Sequence, residues 1–94
     1  MDELLRGLFN YIEETDSTFE EEYRRDYIEK LIDKTVEKQL NATRDKIEWK
    51  VSGQLATKMG DRNRAYECEM KVQELDEELI HLDKCIEVLD EMLG

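Results

Sequence analysis

One short stretch of the chain carries the residue types from which a metal or acid–base site could be built. His81 is the only histidine, Cys85 follows one helical turn later, and Glu77 and Glu78 come just before. Imidazole, thiolate and carboxylate all bind zinc, and a spacing of four places His81 and Cys85 on one helix face. A zinc site needs more ligands than this pair supplies. The simpler interpretation is a solvated histidine beside a small apolar thiol.

The same stretch contains a second pattern with chemical meaning. Glu78-Leu79-Ile80-His81 has the Glu-x-x-His spacing of carboxylate-bridged di-iron bundles. That site needs a second copy of the motif and further glutamates in the bundle core, and only a dimer of this chain would supply them. The four glycines are scattered and form no phosphate-binding loop. We therefore expect no metal, no cofactor and no catalysis.

The charge distribution limits the class of partner. The net charge is −11, with a balance of −7 over residues 1–23, +4 over residues 24–64 and −8 over residues 65–94. Such a chain repels the phosphates of nucleic acid, whereas a basic protein surface remains a suitable partner. The densest acidic surface is expected from six carboxylates near the N-terminus: Glu13, Glu14, Asp16, Glu20, Glu21 and Glu22.

Long helices must position all of these side chains. Proline is absent, which favours uninterrupted helices. Helix-start and helix-stop signals divide the chain into helices at about 2–14, 18–59 and 62–93: Ser17 and Glu20 make a capping box, and Gly60 and Asp61 suit a helix end and the next N-cap. The last helix carries a four-heptad run of a and d positions, which predicts lengthwise packing on another helix. These positions are Ala65, Cys68, Val72, Leu75, Leu79, Leu82, Ile86, Leu89 and Leu93.

The middle helix carries large apolar residues that we assign to its contact with the last helix. They are Ile28, Ile32, Val36, Leu40, Ile47, Val51, Leu55 and Met59. On this assignment Trp49 points away from the last helix, together with small residues that permit another helix to approach. The sequence then predicts a dimer or partner interface on this outer face, formed by Ala42, Trp49, Ser52, Gly53 and Ala56.

A short turn at Gly60 makes the last two helices antiparallel, with facing residue numbers that sum to about 120. The e positions of the last helix are all acidic, and basic residues occupy the facing levels of the middle helix, so ion pairs are expected along this edge. The expected acids are Glu69, Asp76, Asp83 and Asp90, and the expected bases are Lys50, Arg44, Lys38 and Lys30.

The sequence therefore predicts one all-α domain, residues 1–94: an antiparallel, coiled-coil-like helical hairpin whose short N-terminal helix makes a three-helix bundle at the open end. A hairpin this small with an uncovered face is expected to dimerise. The expected function is protein–protein binding by a cytoplasmic, homo-oligomeric adaptor or regulator, with no membrane contact. The alternative is an acidic inhibitor of the phage or mobile-element type, which blocks or mimics nucleic acid at a basic site of a host protein.

Overall fold

A computed structural model describes the backbone of residues 2–94 and the side chains of residues 18–94. Helix α1 spans Asp2–Lys58, helix α2 spans Arg62–Leu93, and the two pack side by side as a hairpin. Where the sequence predicts two helices at 2–14 and 18–59, the structure assigns the single helix α1. The expected packing of the N-terminal segment on the open end concerns side chains outside the described residues. A three-helix end is therefore not shown and stays a prediction.

The turn between the helices has the local chemistry that the sequence predicts. Gly60 has φ +77°, in the left-handed region that favours glycine. The Asp61 amide donates to the Ala56 carbonyl at 2.9 Å and the Gly60 amide to the Thr57 carbonyl at 3.2 Å, which is a Schellman motif. The Asp61 carboxylate then accepts from the Arg64 amide at 3.1 Å as the N-cap of α2. Only three residues separate the helices, so α2 must fold back along α1.

The heptad seam of α2 faces α1, as the sequence predicts. Cys68 is 1% exposed and Leu82 is 7% exposed, and both occupy d positions. The other a and d residues are half-buried, except Leu93 at the C-terminal end. Half-burial is what a two-helix pair allows, because each seam residue has a neighbour on one side only.

The seam of α1 is the main correction to the sequence analysis. Nine of its less exposed positions recur at alternating intervals of four and three residues, which is a heptad repeat, and Leu31 and Ser52 are half-buried beside it. These positions combine small, polar and a few large side chains: Ile28, Ile32, Thr35, Gln39, Ala42, Lys46, Trp49, Gly53 and Ala56. Ile28, Ala42 and Ala56 are fully buried. Two of the large apolar residues assigned to the seam, Ile28 and Ile32, do lie in it; the other six are exposed.

These seam positions of α1 face α2 because the two seams match in side-chain size and in repeat length. The α2 seam is filled by leucine, valine and isoleucine along most of its length and by Ala65 and Cys68 near the turn. Small residues of α1 opposite this seam let the two backbones approach. Gly53 shows how closely the helices approach, since a Cβ built there would lie 3.2 Å from the Cys68 Cβ. A heptad seam also meshes continuously only with another heptad seam, whereas Val36, Leu40, Ile47 and Val51 repeat at eleven residues and drift away from it.

Polar contacts across the hairpin fix its register. Lys46 forms an ion pair with Asp76, and the Gln39 amide donates to the Asp83 carboxylate at 2.5 Å. In both pairs the residue numbers sum to 122, close to the expected 120. The expected partners are wrong, however, because Lys46 replaces Arg44 opposite Asp76 and Gln39 replaces Lys38 opposite Asp83. Among residues 18–94, no other ion pair joins the two helices.

Candidate interaction surface

The most prominent surface feature of the described side chains is a row of large apolar residues on α1 that α2 does not cover. We call it the outer stripe. Its six members are 40–76% exposed: Val36, Leu40, Ile47, Val51, Leu55 and Met59. Several large apolar side chains exposed along one helix of a highly charged chain are a candidate interaction site.

The outer stripe runs diagonally over α1. At its N-terminal end, Val36 and Leu40 line a groove of about 360 Å³ with Leu79 and Asp83 of α2. At its other end, Leu55 and Met59 line a groove of about 300 Å³ with Asp61 and Arg64. Because Asp83 and Arg64 occupy opposite flanks of the α2 seam, the stripe crosses from one side of the hairpin to the other. From Val36 to Met59 it is about 35 Å long at 1.5 Å per residue.

Charges of both signs border the outer stripe. Glu37, Arg44, Glu48 and Lys50 are all exposed on this part of α1. The stripe also lies within residues 24–64, which carry eleven basic and seven acidic side chains, whereas the flanking stretches of the chain are strongly acidic. A partner that covers the stripe therefore meets both acidic and basic side chains along its edges.

The interface residues predicted from sequence do not lie on this outer face. Ala42 and Ala56 are buried against α2, and Ser52 and Gly53 are half-buried. Trp49 is also half-buried, and the Arg64 guanidinium carbon of α2 lies 5.5 Å from the centroid of its ring. The prediction that this face points away from α2 is wrong. These five residues form the interface between the two helices of one chain.

A second exposed apolar group lies beyond the end of α2. Leu93 comes level with Ile28, so residues 18–27 of α1 extend past the hairpin seam. This overhang presents Phe19, Tyr23 and Tyr27 at one-turn intervals, all more than half exposed. The Phe19 and Tyr23 rings stack with their centroids 6.0 Å apart. Apart from this stacking, the three rings stay more than half exposed in the part of the chain whose side chains are described.

The predicted acidic surface is described in part. Glu20, Glu21 and Glu22 are exposed on the overhang, beside the aromatic rings. Glu13, Glu14 and Asp16 lie outside the residues whose side chains the structure describes. A binding role for this acidic cluster stays a prediction.

The His81–Cys85 pair is formed as the spacing predicts. The Cys85 Sγ lies 3.7 Å from the His81 Nε2. Both line a groove of about 440 Å³ with Leu31 and Leu89. Within residues 18–94, no three metal-ligating side chains come together. Thiol and imidazole are thus neighbours at the rim of an apolar groove, and the described side chains do not complete a metal coordination set around them.

Comparison with known proteins finds no matching family model, no matching curated protein and no matching solved structure. In the part of the chain that the structure describes, no helix combines the length and apolar character needed to span a membrane. Function must therefore be argued from the surface itself.

Proposed function

We propose that this chain is a non-catalytic helical binding protein, an adaptor or regulator that works as a homo-oligomer through protein–protein contacts. The observation that supports this is the outer stripe, whose six large apolar side chains stay exposed after the hairpin has formed. Helix α1 places mostly small and polar residues in the seam and six of its larger apolar residues outside it. That distribution suits a helix that packs on both faces, one of them against another polypeptide.

The net charge of −11 adds a preference among partners. A protein that bound this chain beside its acidic stretches would be favoured by a basic surface, and electrostatic attraction would speed encounter. We propose the outer stripe as the source of affinity and the acidic stretches, residues 1–23 and 65–94, as the source of partner selectivity. Cytoplasmic location is part of the same proposal, since Cys68 and Cys85 are both free thiols and a reducing compartment keeps thiols in that state.

Site-specific photo-crosslinking in the native cell tests the proposal. A benzoyl-phenylalanine is placed at Val51, in the outer stripe, or at Ile80, an exposed apolar residue of α2 outside the stripe. Position 51 is expected to crosslink to protein, either a second copy or another chain, much more efficiently than position 80. Equal yields at the two positions, or none at position 51, would contradict the assignment of the stripe as the binding surface.

A further inference from the structure

We infer that the outer stripe binds a second copy of this chain, with the two α1 helices antiparallel and the two-fold axis between Thr43 and Arg44. This inference rests on the proposed function and names the partner and the arrangement. The residues that carry it are Val36, Leu40, Ile47 and Val51, together with the charges at the same levels of α1.

The spacing of these four residues is symmetric. They are separated by four, seven and four positions, so the series reads the same in both directions. A two-fold interface requires this property, because residue i of one copy contacts residue j of the other and j contacts i. With the axis between residues 43 and 44, Val36 faces Val51 of the second copy, and Leu40 faces Ile47. Side chains of similar volume then meet at every level.

The apolar area sets how much contact the flanking residues must add. The exposed parts of Val36, Leu40, Ile47 and Val51 amount to roughly 370 Å² on each copy, so pairing them would bury roughly 700 Å² in total. Leu55 and Met59 lie outside the paired region, because the axis places them level with Ile32 and Ile28, which are in the seam of the second copy. Specific interfaces bury at least about 1,200 Å², so the side chains that border the four residues must supply the remaining contact area.

Charge favours the antiparallel arrangement over the parallel one. The antiparallel axis brings Glu29 of each copy level with Lys58 of the other, and both residues are on the same side of α1 as the four apolar residues. In a parallel pair, each of these residues would instead lie level with the same residue of the second copy, so that like charges would meet. The antiparallel pair also sends the exposed Glu20, Glu21 and Glu22 of the two copies to opposite ends. Each exposed pair contributes little, but together they select one alignment.

One local feature opposes the arrangement. Arg44 of both copies comes close to the axis. Glu48 of each copy follows Arg44 by one helical turn, so a carboxylate is near each guanidinium. We expect these carboxylates to limit the repulsion between the two Arg44 side chains. The apolar contacts on either side of the axis should then be sufficient for dimerisation.

Sedimentation equilibrium on the full chain tests whether the outer stripe mediates dimerisation. The wild-type protein is expected to be a dimer at micromolar concentration. Ile47→Lys should weaken dimerisation about 100-fold or more, because the change is present in both copies of each dimer. Ile80→Lys makes the same change at an exposed apolar residue outside the stripe and should leave the dimer intact. Val51→Lys repeats the first test at a second stripe position, and helicity by circular dichroism checks that each variant is folded.

Distances between spin labels on the two copies test whether the two α1 helices are antiparallel. Single cysteines are introduced as Asn41→Cys or Thr57→Cys in a chain with Cys68→Ala and Cys85→Ala. The antiparallel axis predicts label pairs offset along α1 by about 8 Å at position 41 and about 40 Å at position 57. A parallel dimer would give similarly short distances at both positions and would overturn the arrangement.

The outcomes separate this inference from the proposed function. A wild-type chain that stays monomeric overturns the inference, as does a dimer that Ile47→Lys and Val51→Lys leave unchanged. In the monomer case, crosslinking of position 51 to a different protein would still support the proposed function. A monomer that crosslinks to nothing at position 51 would remove both.

Discussion

The ion pair between Lys46 and Asp76 gives the sharpest test of the hairpin register. Lys46 occupies a seam position of α1, where its side chain is 24% exposed, whereas the Asp76 side chain is 46% exposed. Removing Asp76 therefore leaves a mostly covered ammonium without its carboxylate, while removing Lys46 leaves a carboxylate that water can reach. We expect Asp76→Ala to destabilise the hairpin by about 1 kcal/mol, the scale of a lost charged contact.

Lys46→Met is the matched substitution on the other helix, since methionine keeps the length of the side chain and removes its charge. We expect a change near zero or a slight gain in stability, because an apolar seam residue replaces a partly desolvated charge. The coupling energy between positions 46 and 76 should be about 0.5–1 kcal/mol and should fall as salt is added.

The assay is urea or thermal unfolding followed by circular dichroism, with wild type, both single variants and the double variant. For a chain of this size, 1 kcal/mol corresponds to a shift in Tm of about 4–8 °C. A second cycle between Arg44 and Asp76 is the control, because the structure places no contact there among its ion pairs. Coupling that appears in the Arg44 cycle and not in the Lys46 cycle would refute this register.

Three further predictions concern packing and the turn, and unfolding measurements check each. Leu82→Ala should destabilise the protein by about 2–5 kcal/mol because Leu82 is buried, whereas Ile80→Ala, at 70% exposure, should change stability by less than about 0.5 kcal/mol. Gly60→Ala should cost about 1–2 kcal/mol from the left-handed backbone alone, since nothing lies within 4 Å of the added Cβ. Gly53→Val should cost about 1–3 kcal/mol by forcing α1 away from Cys68, and equal stability of wild type and Gly53→Val would contradict the close helix approach.

The sequence predicts α2 and the turn well because their signals are local. The heptad leucines of α2, the glycine at Gly60 and the cap at Asp61 each specify a conformation without reference to distant residues. The antiparallel alignment then follows from the three-residue connection, and the register is correct to within two residues at Asp76 and Asp83.

The side of α1 that packs on α2 could not be predicted from the positions of its large apolar residues alone. The rule that large apolar residues face the core selects Val36 to Met59, yet the seam contains Thr35, Gln39 and Lys46. A usable signal was present in the repeat length, because Val36 and Leu40 recur at eleven residues as Ile47 and Val51, whereas the α2 seam recurs at seven. Comparing the two periods would have excluded these four residues from the seam.

The three-residue turn also governs how the hairpin opens. Residues that face each other beside the turn, such as Ala56 and Ala65, are close in sequence, while Ile28 and Leu93 at the open end are far apart. Closing a contact costs little chain entropy once the neighbouring contact nearer the turn has formed. Pairing therefore propagates outward from Gly60, and spontaneous opening begins at the opposite end. Along the paired parts of the two helices, amide hydrogens should exchange in a gradient, slowest near the turn and fastest at the open end, around Ile28 and Leu93.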